Sequence, residues 1–231
     1  MRWFAVLALS ACGRIGFDAT NLDSNPDDAT PPDLVLHAAF DSDGLLLDRA
    51  RGHAMTCSTC PLQVAGRVGE AASFDGTGCL VIADALDLQP TSFTLAAWAS
   101  SVTLPLSTVI SRPLNGATTA ENTWMLYIGG SSNWLLELNG VDVLSAPAVA
   151  GGWHHLAATY DGTVATLYLD GSVIAGPTAV AVPQYASGNV MIGCDLDLGM
   201  IVGNWQGLID DVRLYSRALS AGEIATLATG S

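Results

Sequence analysis

The chain has 231 residues, of which 50% are hydrophobic and 13% charged, so it is long enough to bury one sizeable core. It carries 22 acidic residues against eight arginines and no lysine, which gives a formal net charge of −14. This charge repels phosphate backbones and anionic lipid, so it argues against nucleic acid as a partner and against membrane binding through charge.

The first residues form a segment typical of export signals. Arg2 precedes a short apolar run over residues 3–9, which is too short to span a bilayer as a helix. The run leads into Leu9-Ser10-Ala11-Cys12, which resembles a bacterial lipobox. The resemblance implies a signal peptide over residues 1–11 and a lipid on Cys12; a plain signal peptide with an incidental cysteine is the alternative. We expect an exported, lipid-anchored protein of the bacterial cell envelope, at the outer membrane, that meets the membrane through its lipid alone.

Residues 12–33 have the composition of a tether. Asparagine, aspartate, threonine and proline dominate this segment, which offers too few large apolar side chains to form a core. We therefore expect a disordered, acidic linker there, and a single folded domain over residues 34–231.

Apart from Cys12, four cysteines remain, an even number that favours disulfides in an exported chain. Four cysteines allow three pairings, of which we favour Cys57 with Cys60 and Cys79 with Cys194. A redox pair at Cys57 and Cys60 would need a βαβ setting, and a zinc site would need a second close pair; neither is evident.

The folded part has the hydrophobic periodicity and the turn residues of a β protein. Asn139-Gly140, Asp161-Gly162 and Asp170-Gly171 each lie between apolar runs, as expected of hairpin turns. Many short strands with one terminal helix predict an all-β, two-sheet antiparallel sandwich. Strands are predicted near residues 34–40, 79–82, 93–99, 108–112, 124–128, 134–138, 153–160, 164–169, 190–193 and 208–215.

The last predicted strand contains an acid in an apolar row. A period of two places Asp210 on one face with Leu208, Val212 and Leu214. A buried carboxylate needs hydrogen bonds, a charged partner or a metal. Ser220-x-x-Glu223 then forms a capping box, which predicts a short helix to about residue 227.

Several segments together resemble the laminin G-like, concanavalin A-like jelly-roll family. These are residues 66–76 with Phe-Asp-Gly, 92–98 with Ser-Phe-Thr and Trp98, the hairpin segments 152–162 and 167–171, and the closing segment 207–224. The resemblance covers residues 34 to the end and implies a jelly-roll sandwich. It does not determine one function, because this fold carries many.

The resemblance also implies a structural calcium ion. Relatives use an aspartate of the last strand with main-chain carbonyls, which in this chain are Asp210 with carbonyl oxygens near Ala39 and from Gly76 or Thr77. Asp75 is a second candidate ligand, although a turn equally requires an Asp-Gly pair. A purely hydrogen-bonded Asp210 is the alternative.

Catalytic motifs are not evident in the sequence. Glycosidases of this fold place two carboxylates in a Glu-x-Asp-x-(x)-Glu strand, which is absent. Glu137 precedes a hairpin turn, and Asp195 and Asp197 are interpreted as loop residues. We therefore predict that the protein is not an enzyme.

Tryptophans are the candidate ligand contacts, since sugar rings stack on exposed aromatic faces. Trp124, Trp134 and Trp205 have less evident core positions than Trp98 and Trp153, although partial burial is an alternative for each. The sequence thus predicts a non-catalytic module that binds a glycan or a surface protein. A glycosidase and a purely structural adhesion module are the alternatives.

Overall fold

The computed structural model describes residues 30–115, 118–119 and 121–230. These residues form 17 strands, a short 3-10 turn at Leu86–Leu88 and one α-helix, α1, at Ala221–Leu227. The strands are β1 Leu34–Ala38, β2 Met55–Thr56, β3 Leu62–Ala65, β4 Glu70–Asp75, β5 Leu80–Ile82, β6 Phe93–Ser100, β7 Ser107–Pro113, β8 Asn122–Ile128, β9 Asn133–Leu138, β10 Val141–Pro147, β11 His154–Tyr160, β12 Val164–Leu169, β13 Ser172–Ala179, β14 Val190–Ile192, β15 Asp195–Asp197, β16 Met200–Val202 and β17 Gln206–Tyr215.

The strands build two antiparallel sheets packed face to face. The first sheet has the order β13-β12-β11-β6-β17-β4-β3, with β1 also paired to β17. The second sheet has the order β10-β9-β8-β7-β14-β5-β2, while β15 and β16 form a separate hairpin. This arrangement confirms the predicted jelly-roll sandwich with a short C-terminal helix.

The core lies between the sheets and follows the period of two along each strand. Leu126 and Ile128 of β8 and Leu136 and Leu138 of β9 all face inward and are fully or almost fully buried. Phe93 of the first sheet bridges the layers, since its ring centroid lies 6.3 Å from that of Trp124 and 5.7 Å from that of Tyr160. The outward-facing residues of each strand therefore decide what each sheet offers to solvent.

The three hairpins predicted from Asx-Gly pairs are present. Asn139 and Gly140 have φ angles of 52° and 74°, and Asp170 and Gly171 have 49° and 80°, as a two-residue hairpin turn requires. Asp161-Gly162 joins β11 to β12. Strand β13 was missed because it contains Gly176 and Pro177; it is an exposed edge strand, where proline is tolerated.

The last strand, β17, departs from the predicted alternation. Asp211 has a φ of +51°, and the pairing with β6 changes register between Asp210 and Arg213. This bulge makes Ile209 share the core face with Val212 and Leu214. The prediction that Asp210 lies in the same row as Val212 and Leu214 is wrong, because one extra residue shifts the row.

Helix α1 covers part of the outer face of the first sheet. Ser220 Oγ accepts a hydrogen bond from the Glu223 N–H at 3.3 Å, and the Glu223 carboxylate accepts one from the Ser220 N–H at 2.7 Å, which confirms the predicted capping box. Hydrogen bonding from Arg217, together with this cap, lowers the pKa of Glu223 to about 2. Ile224 packs against outward-facing Ala96 and Tyr168. This part of the first sheet is therefore closed to ligands.

Candidate functional site

The three tryptophans predicted to contact a ligand are core residues. Trp124 and Trp205 are fully buried and Trp134 is 2% exposed. Trp134 and Trp205 stack on each other with ring centroids 6.4 Å apart. Their faces are covered by neighbouring side chains between the sheets, so they cannot serve as platforms for sugar rings, and this prediction is corrected.

The residues proposed for calcium do not form one cluster. Asp210 is fully buried, and its Oδ2 accepts the backbone N–H groups of Arg67 and Val68, each at 2.8 Å. Asp75 is exposed and accepts the N–H of Thr77 in its turn, next to Gly76. Gln206 pairs with Asp75, so Asp210 lies four residues further along β17, roughly 13 Å away.

These contacts are those of a hydrogen-bonded acid, which was the alternative for Asp210. Burial raises the pKa of Asp210 to about 6, and the two N–H donors act in the opposite direction. Such donors stabilise the carboxylate without a cation. Calcium at Asp210 stays a prediction and is tested below by the Asp210→Asn variant.

Both predicted disulfides are present. Cys57 pairs with Cys60, and Cys79 pairs with Cys194. The second links β5 to the segment that enters β15 and is the more consequential, since its cysteines are 115 residues apart in sequence. Cys12, the signal peptide and most of the tether lie outside the described residues. Among the residues that are described, no helix is long and apolar enough to cross a membrane.

The uncovered part of the first sheet's outer face is filled by a charged network. His37 Nε2 lies 2.6 Å from Asp211 Oδ1, and Arg213 lies 3.0 Å from the same carboxylate. Burial tends to raise the pKa of Asp211, but the His37 and Arg213 contacts outweigh it and lower that pKa. His155 is almost fully buried beside Trp98, and its burial lowers the pKa of the imidazole to about 4. His37, Asp211 and Arg213 therefore pair with one another, whereas His155 Nδ1 has no hydrogen-bond partner among the described residues.

The outer face of the second sheet carries side chains of mixed polarity. Two rows of outward-facing residues cross its strands. The first row, from β10 to β14, comprises Asp142, Glu137, Met125, Ser111 and Met191. The second row, from β10 to β7, comprises Ser145, Leu135, Tyr127 and Thr108. Apolar and polar side chains therefore lie next to each other on strands β8 and β9.

This surface has a floor of little-exposed residues between two more exposed flanks. The floor residues Met125, Tyr127, Leu135 and Glu137 are only 7–9% exposed. Strand β10 supplies one side, where Asp142 and Ser145 are exposed. The β15–β16 hairpin supplies the other, with Leu198, Met200 and Ile201 exposed at its tip. We call the floor, these two sides and Asn122 the outer trough.

The hairpin that forms one side is firmly attached to the sheet. Ser111 Oγ donates a hydrogen bond to the Cys194 carbonyl at 3.0 Å, and the Thr108 N–H donates to the Gly203 carbonyl at 2.8 Å. The Cys79–Cys194 disulfide anchors the same point. These links hold both ends of the hairpin above β7, so its carboxylates have fixed positions.

Asn122 connects the carboxylates of the outer trough. Its backbone N–H donates to Glu137 Oε1 and its Nδ2 donates to Asp195 Oδ2, both at 3.0 Å. The Tyr127 hydroxyl donates to Asp142 Oδ1 at 2.7 Å. Through its backbone and its side chain, Asn122 thus links Glu137 of β9 to Asp195 of β15. The hydrogen bond to Asp142 fixes Tyr127 at the opposite side.

The electrostatics of the outer trough are those of crowded, partly desolvated acids. Burial raises the pKa of Glu137 to about 7, and the charges of Asp142 and Asp195 add to this effect. Burial and then the charge of Asp195 raise the pKa of Asp197 to about 6. Burial and the hydrogen bond to Asp142 also raise the pKa of Tyr127. Glu137 therefore exchanges a proton near neutral pH.

The raised pKa of Glu137 predicts a pH-dependent stability. A carboxyl whose pKa is higher in the folded than in the unfolded state stabilises the fold below pH 4.5, and this contribution is lost as pH rises through about 7. The full shift corresponds to about 3 kcal/mol, which partial solvent screening reduces to about 1 to 2 kcal/mol. Glu137→Gln should lack this loss while keeping an acceptor for the Asn122 N–H.

The measurement is urea unfolding of wild type and Glu137→Gln at pH 5 and pH 8. From pH 5 to pH 8, the free energy of unfolding of Glu137→Gln should rise by about 1 to 2 kcal/mol relative to that of wild type. An identical pH dependence of the two proteins would show that Glu137 is ionised in both states and that the trough is more solvated than its burial indicates.

Much of the outer trough escaped the sequence analysis. Asp195 and Asp197 were interpreted as loop residues but form strand β15, and Glu137 was set aside because of the turn that follows it. Asn122, Tyr127 and Asp142 were not singled out. Alternation with the core residues Leu126 and Ile128 places Tyr127 on an outer face. Asn122 and Asp142 have the parity of the core residues Trp124 and Leu144, and they reach the outer face only through register shifts in β8 and β10 that the fold reveals.

Comparison with known proteins gives the following similarities. A family model described as the concanavalin A-like lectin/glucanases superfamily matches residues 74–225. Domain 4 of AbnA, a GH43 extracellular arabinanase from Geobacillus stearothermophilus solved in complex with arabinotriose, superposes with a TM-score of 0.65 at 20% identity. The match covers 84% of this chain and 98% of that chain. No curated protein sequence matches.

Two further solved structures share the fold over only part of their length. The binding domain of Paraclostridial Mosquitocidal Protein 1 has a TM-score of 0.63 at 15% identity, covering 85% of this chain and 52% of that chain. A Trypanosoma rangeli sialidase, solved with 2,3-difluorosialic acid, has a TM-score of 0.62 at 18% identity, covering 87% of this chain and 33% of that chain. At such identities these likenesses show the fold alone.

The prediction that the protein is not an enzyme is corrected by these similarities. It rested on the absence of one glucanase strand motif, yet structures that share the fold come from an arabinanase and a sialidase as well as from a toxin binding domain. A missing motif on this fold therefore does not separate binding from hydrolysis.

Proposed function

Because the chain belongs to the concanavalin A-like lectin/glucanases superfamily, we propose that it binds carbohydrate in the outer trough. The observation that carries this proposal is the combination there of an apolar floor with fixed hydrogen-bonding groups on both sides. The similarity to an arabinanase domain solved with arabinotriose, of which the match covers 98%, also supports it.

The chemistry of the outer trough suits a sugar chain. Sugar rings have apolar faces and a rim of hydroxyl groups, so they bind where aromatic or aliphatic surface adjoins well-placed acceptors. Met125, Tyr127 and Leu135 supply the apolar surface. Asp142 supplies a carboxylate acceptor, whose hydrogen bonds are stronger than those of neutral groups, and Glu137 supplies a carboxyl that exchanges a proton near neutral pH. An extended oligosaccharide could lie along the floor and make contacts with both exposed flanks.

The negative charge of the outer trough restricts the class of glycan that we propose as its ligand. Asp142, Asp195 and Asp197 line the outer trough together with Glu137, and the whole chain has a net charge of −14. Sialylated, sulfated or uronic-acid chains would be repelled, since like charges in a partly desolvated site cost several kcal/mol. We therefore propose a neutral glycan as the ligand class.

The cellular setting belongs to the same proposal. The two disulfides suit an oxidising compartment outside the cytoplasm. Residues 30–33 lead into β1, where the Asp33 carbonyl accepts the Ser216 N–H at 2.8 Å. We propose a sandwich displayed at the cell envelope by a lipid on Cys12, with its outer trough available to neutral polysaccharides.

The proposal is tested on an array of neutral and anionic oligosaccharides that includes arabinotriose, probed with residues 30–231. Wild type should bind one class of neutral glycans. Asp142→Ala should weaken that binding at least about tenfold, because it removes a charged acceptor at the side of the trough. Asp43→Ala, which removes an exposed acid paired with Arg49 in a distant loop, is the matched control and should bind normally.

Binding restricted to anionic glycans would contradict the proposal, as would neutral-glycan binding that Asp142→Ala leaves unchanged. If no glycan of either kind bound, the fold would be serving another role.

Glycoside hydrolysis is a second candidate, favoured by one observation. Glu137 has a pKa near 7 between the carboxylates of Asp142 and Asp195, which is the kind of environment that keeps a general acid protonated at neutral pH. Release of reducing ends from neutral polysaccharides would measure it. Glu137→Gln should then reduce the rate by about 100-fold or more. Release that this variant leaves unchanged would exclude Glu137 as the acid.

A further inference from the structure

The carboxyl groups of Asp195 and Asp197 form a pair that its surroundings do not neutralise. They are two residues apart on β15, so both side chains lie on the same side of the strand, and they are in hydrogen-bonding contact. Asp195 is only 3% exposed. Among the described residues, no arginine or histidine forms an ion pair with either acid.

Asn122 adds a third oxygen to this pair. Its side chain is 1% exposed, and its Nδ2 donates to Asp195 Oδ2 at 3.0 Å. Its Oδ1 is buried and has no hydrogen-bond donor among the described residues. The Oδ1 atoms of Asp195 and Asp197 are likewise buried without a donor. The side chains of Asn122 and the two acids therefore leave three buried oxygens without a donor among the described residues, on either side of a hydrogen bond between distant parts of the chain.

Buried acceptors of this kind require a positive partner. An unsatisfied buried oxygen costs about 1 to 3 kcal/mol, and more when it belongs to a charged group. The backbone next to Asp195 is held in place, because the preceding residue, Cys194, is fixed by its disulfide and by the hydrogen bond from Ser111. A cation bound between these side chains would supply such a partner.

We propose that Asp195, Asp197 and Asn122 bind a divalent cation of the calcium class. The ligand atoms are all oxygens, two from carboxylates and one from an amide, which calcium prefers and zinc or copper do not. Among the described residues, no three or more histidine, cysteine, aspartate or glutamate side chains are grouped for a metal. The third protein ligand is thus an amide, and remaining positions are left to water or to a ligand in the trough.

This site differs from the calcium site implied for Asp210. Asp210 lies on β17 in the first sheet, whereas Asp195 and Asp197 lie on the hairpin above the second sheet. Asp210 Oδ2 accepts hydrogen bonds from two backbone N–H groups, while its Oδ1 has no donor among the described residues. With two carboxylates, the new site should have a dissociation constant of about 10⁻⁴ to 10⁻³ M, the range of extracellular calcium modules.

The test is calorimetric titration of residues 30–231, first stripped with a chelator, with calcium chloride alone. We expect one site in wild type and a rise in melting temperature with calcium. Asp197→Asn, which keeps the size of the side chain, should weaken binding at least about tenfold, since one of the two charged ligands is lost. Asp210→Asn and Asp43→Asn should bind as wild type does.

Three results would overturn the proposal. The first is no heat and no change in melting temperature with calcium, magnesium or manganese at about 5 mM, above the range expected for such a site. The second is calcium binding that Asp197→Asn leaves unchanged, and the third is binding lost in Asp210→Asn instead. Near-ultraviolet circular dichroism confirms that each variant is folded. Since no glycan is present, failure here leaves the carbohydrate proposal standing.

Discussion

Replacing Trp205 by alanine is expected to destabilise the domain by about 3 to 5 kcal/mol, the range for deleting a buried large aromatic side chain. Trp205 is fully buried and stacked on Trp134 with an interplanar angle of 15°. Its Nε1 makes no hydrogen bond within the described structure, so its contribution there comes from packing. The alanine variant leaves a cavity between two sheets whose spacing is set by other contacts.

Urea unfolding followed by far-ultraviolet circular dichroism measures this effect. Trp205→Phe should recover a large part of the loss, since it refills most of the space. Binding to a glycan, where the variant stays folded, should be close to that of wild type. A variant that lost less than about 1 kcal/mol while losing glycan binding would mean that Trp205 faces a ligand after all.

Removing the Cys79–Cys194 disulfide is expected to have the second large effect. Its cysteines are 115 residues apart, and the loop-entropy account assigns such a crosslink about 5 kcal/mol, with measured values for native disulfides of about 2 to 5 kcal/mol. The Cys79→Ala and Cys194→Ala double variant should also loosen β15, since Cys194 directly precedes Asp195. Calcium affinity and glycan affinity should therefore both fall.

The Cys57–Cys60 disulfide is the matched control. With a sequence separation of three, it closes a very short loop and should contribute no more than about 2 kcal/mol. Its double alanine variant should leave the outer trough unchanged. Equal losses of stability for the two double variants, or unchanged ligand binding without Cys79–Cys194, would contradict the role of that disulfide in holding the hairpin.

The fold was predictable because its signals are local. The pairs Asn139-Gly140 and Asp170-Gly171 require positive φ angles that few residues accept, and the Ser220 and Glu223 capping box spans four residues. Such patterns mark turns and helix starts wherever the rest of the chain lies. The disulfide pairs were also favoured correctly.

The candidate site was far less predictable, for two physical reasons. Alternation along a strand separates two faces but does not say which faces the core, and the bulge at Asp211 changes the alternation itself. The contacts that define the trough are also remote in sequence. Asn122 reaches Asp195 across 73 residues, a distance over which sequence periodicity carries no information.

The burial of the tryptophans shows the same limit of prediction from sequence. Trp124, Trp134 and Trp205 were interpreted as exposed platforms because their core positions were less evident in the sequence than those of other tryptophans. In the fold each lies between the sheets, and the exposed apolar side chains near the outer trough are instead those of Leu198, Met200 and Ile201 at the hairpin tip. Large aromatic residues stabilise cores as readily as they bind sugars, so residue type alone does not distinguish the two uses.

The central claim, that carbohydrate binds in the outer trough, is tested most directly by mapping the bound glycan onto the two sheets. Residues 30–231 labelled with ¹⁵N would be titrated with the neutral oligosaccharide that binds best on the array, starting from arabinotriose. We predict shifted amide signals at Asn122, Tyr127, Glu137 and Asp142, with signals of Trp98 on the first sheet unchanged. Shifts confined to the first sheet, with Tyr127 and Glu137 unaffected, would contradict the account.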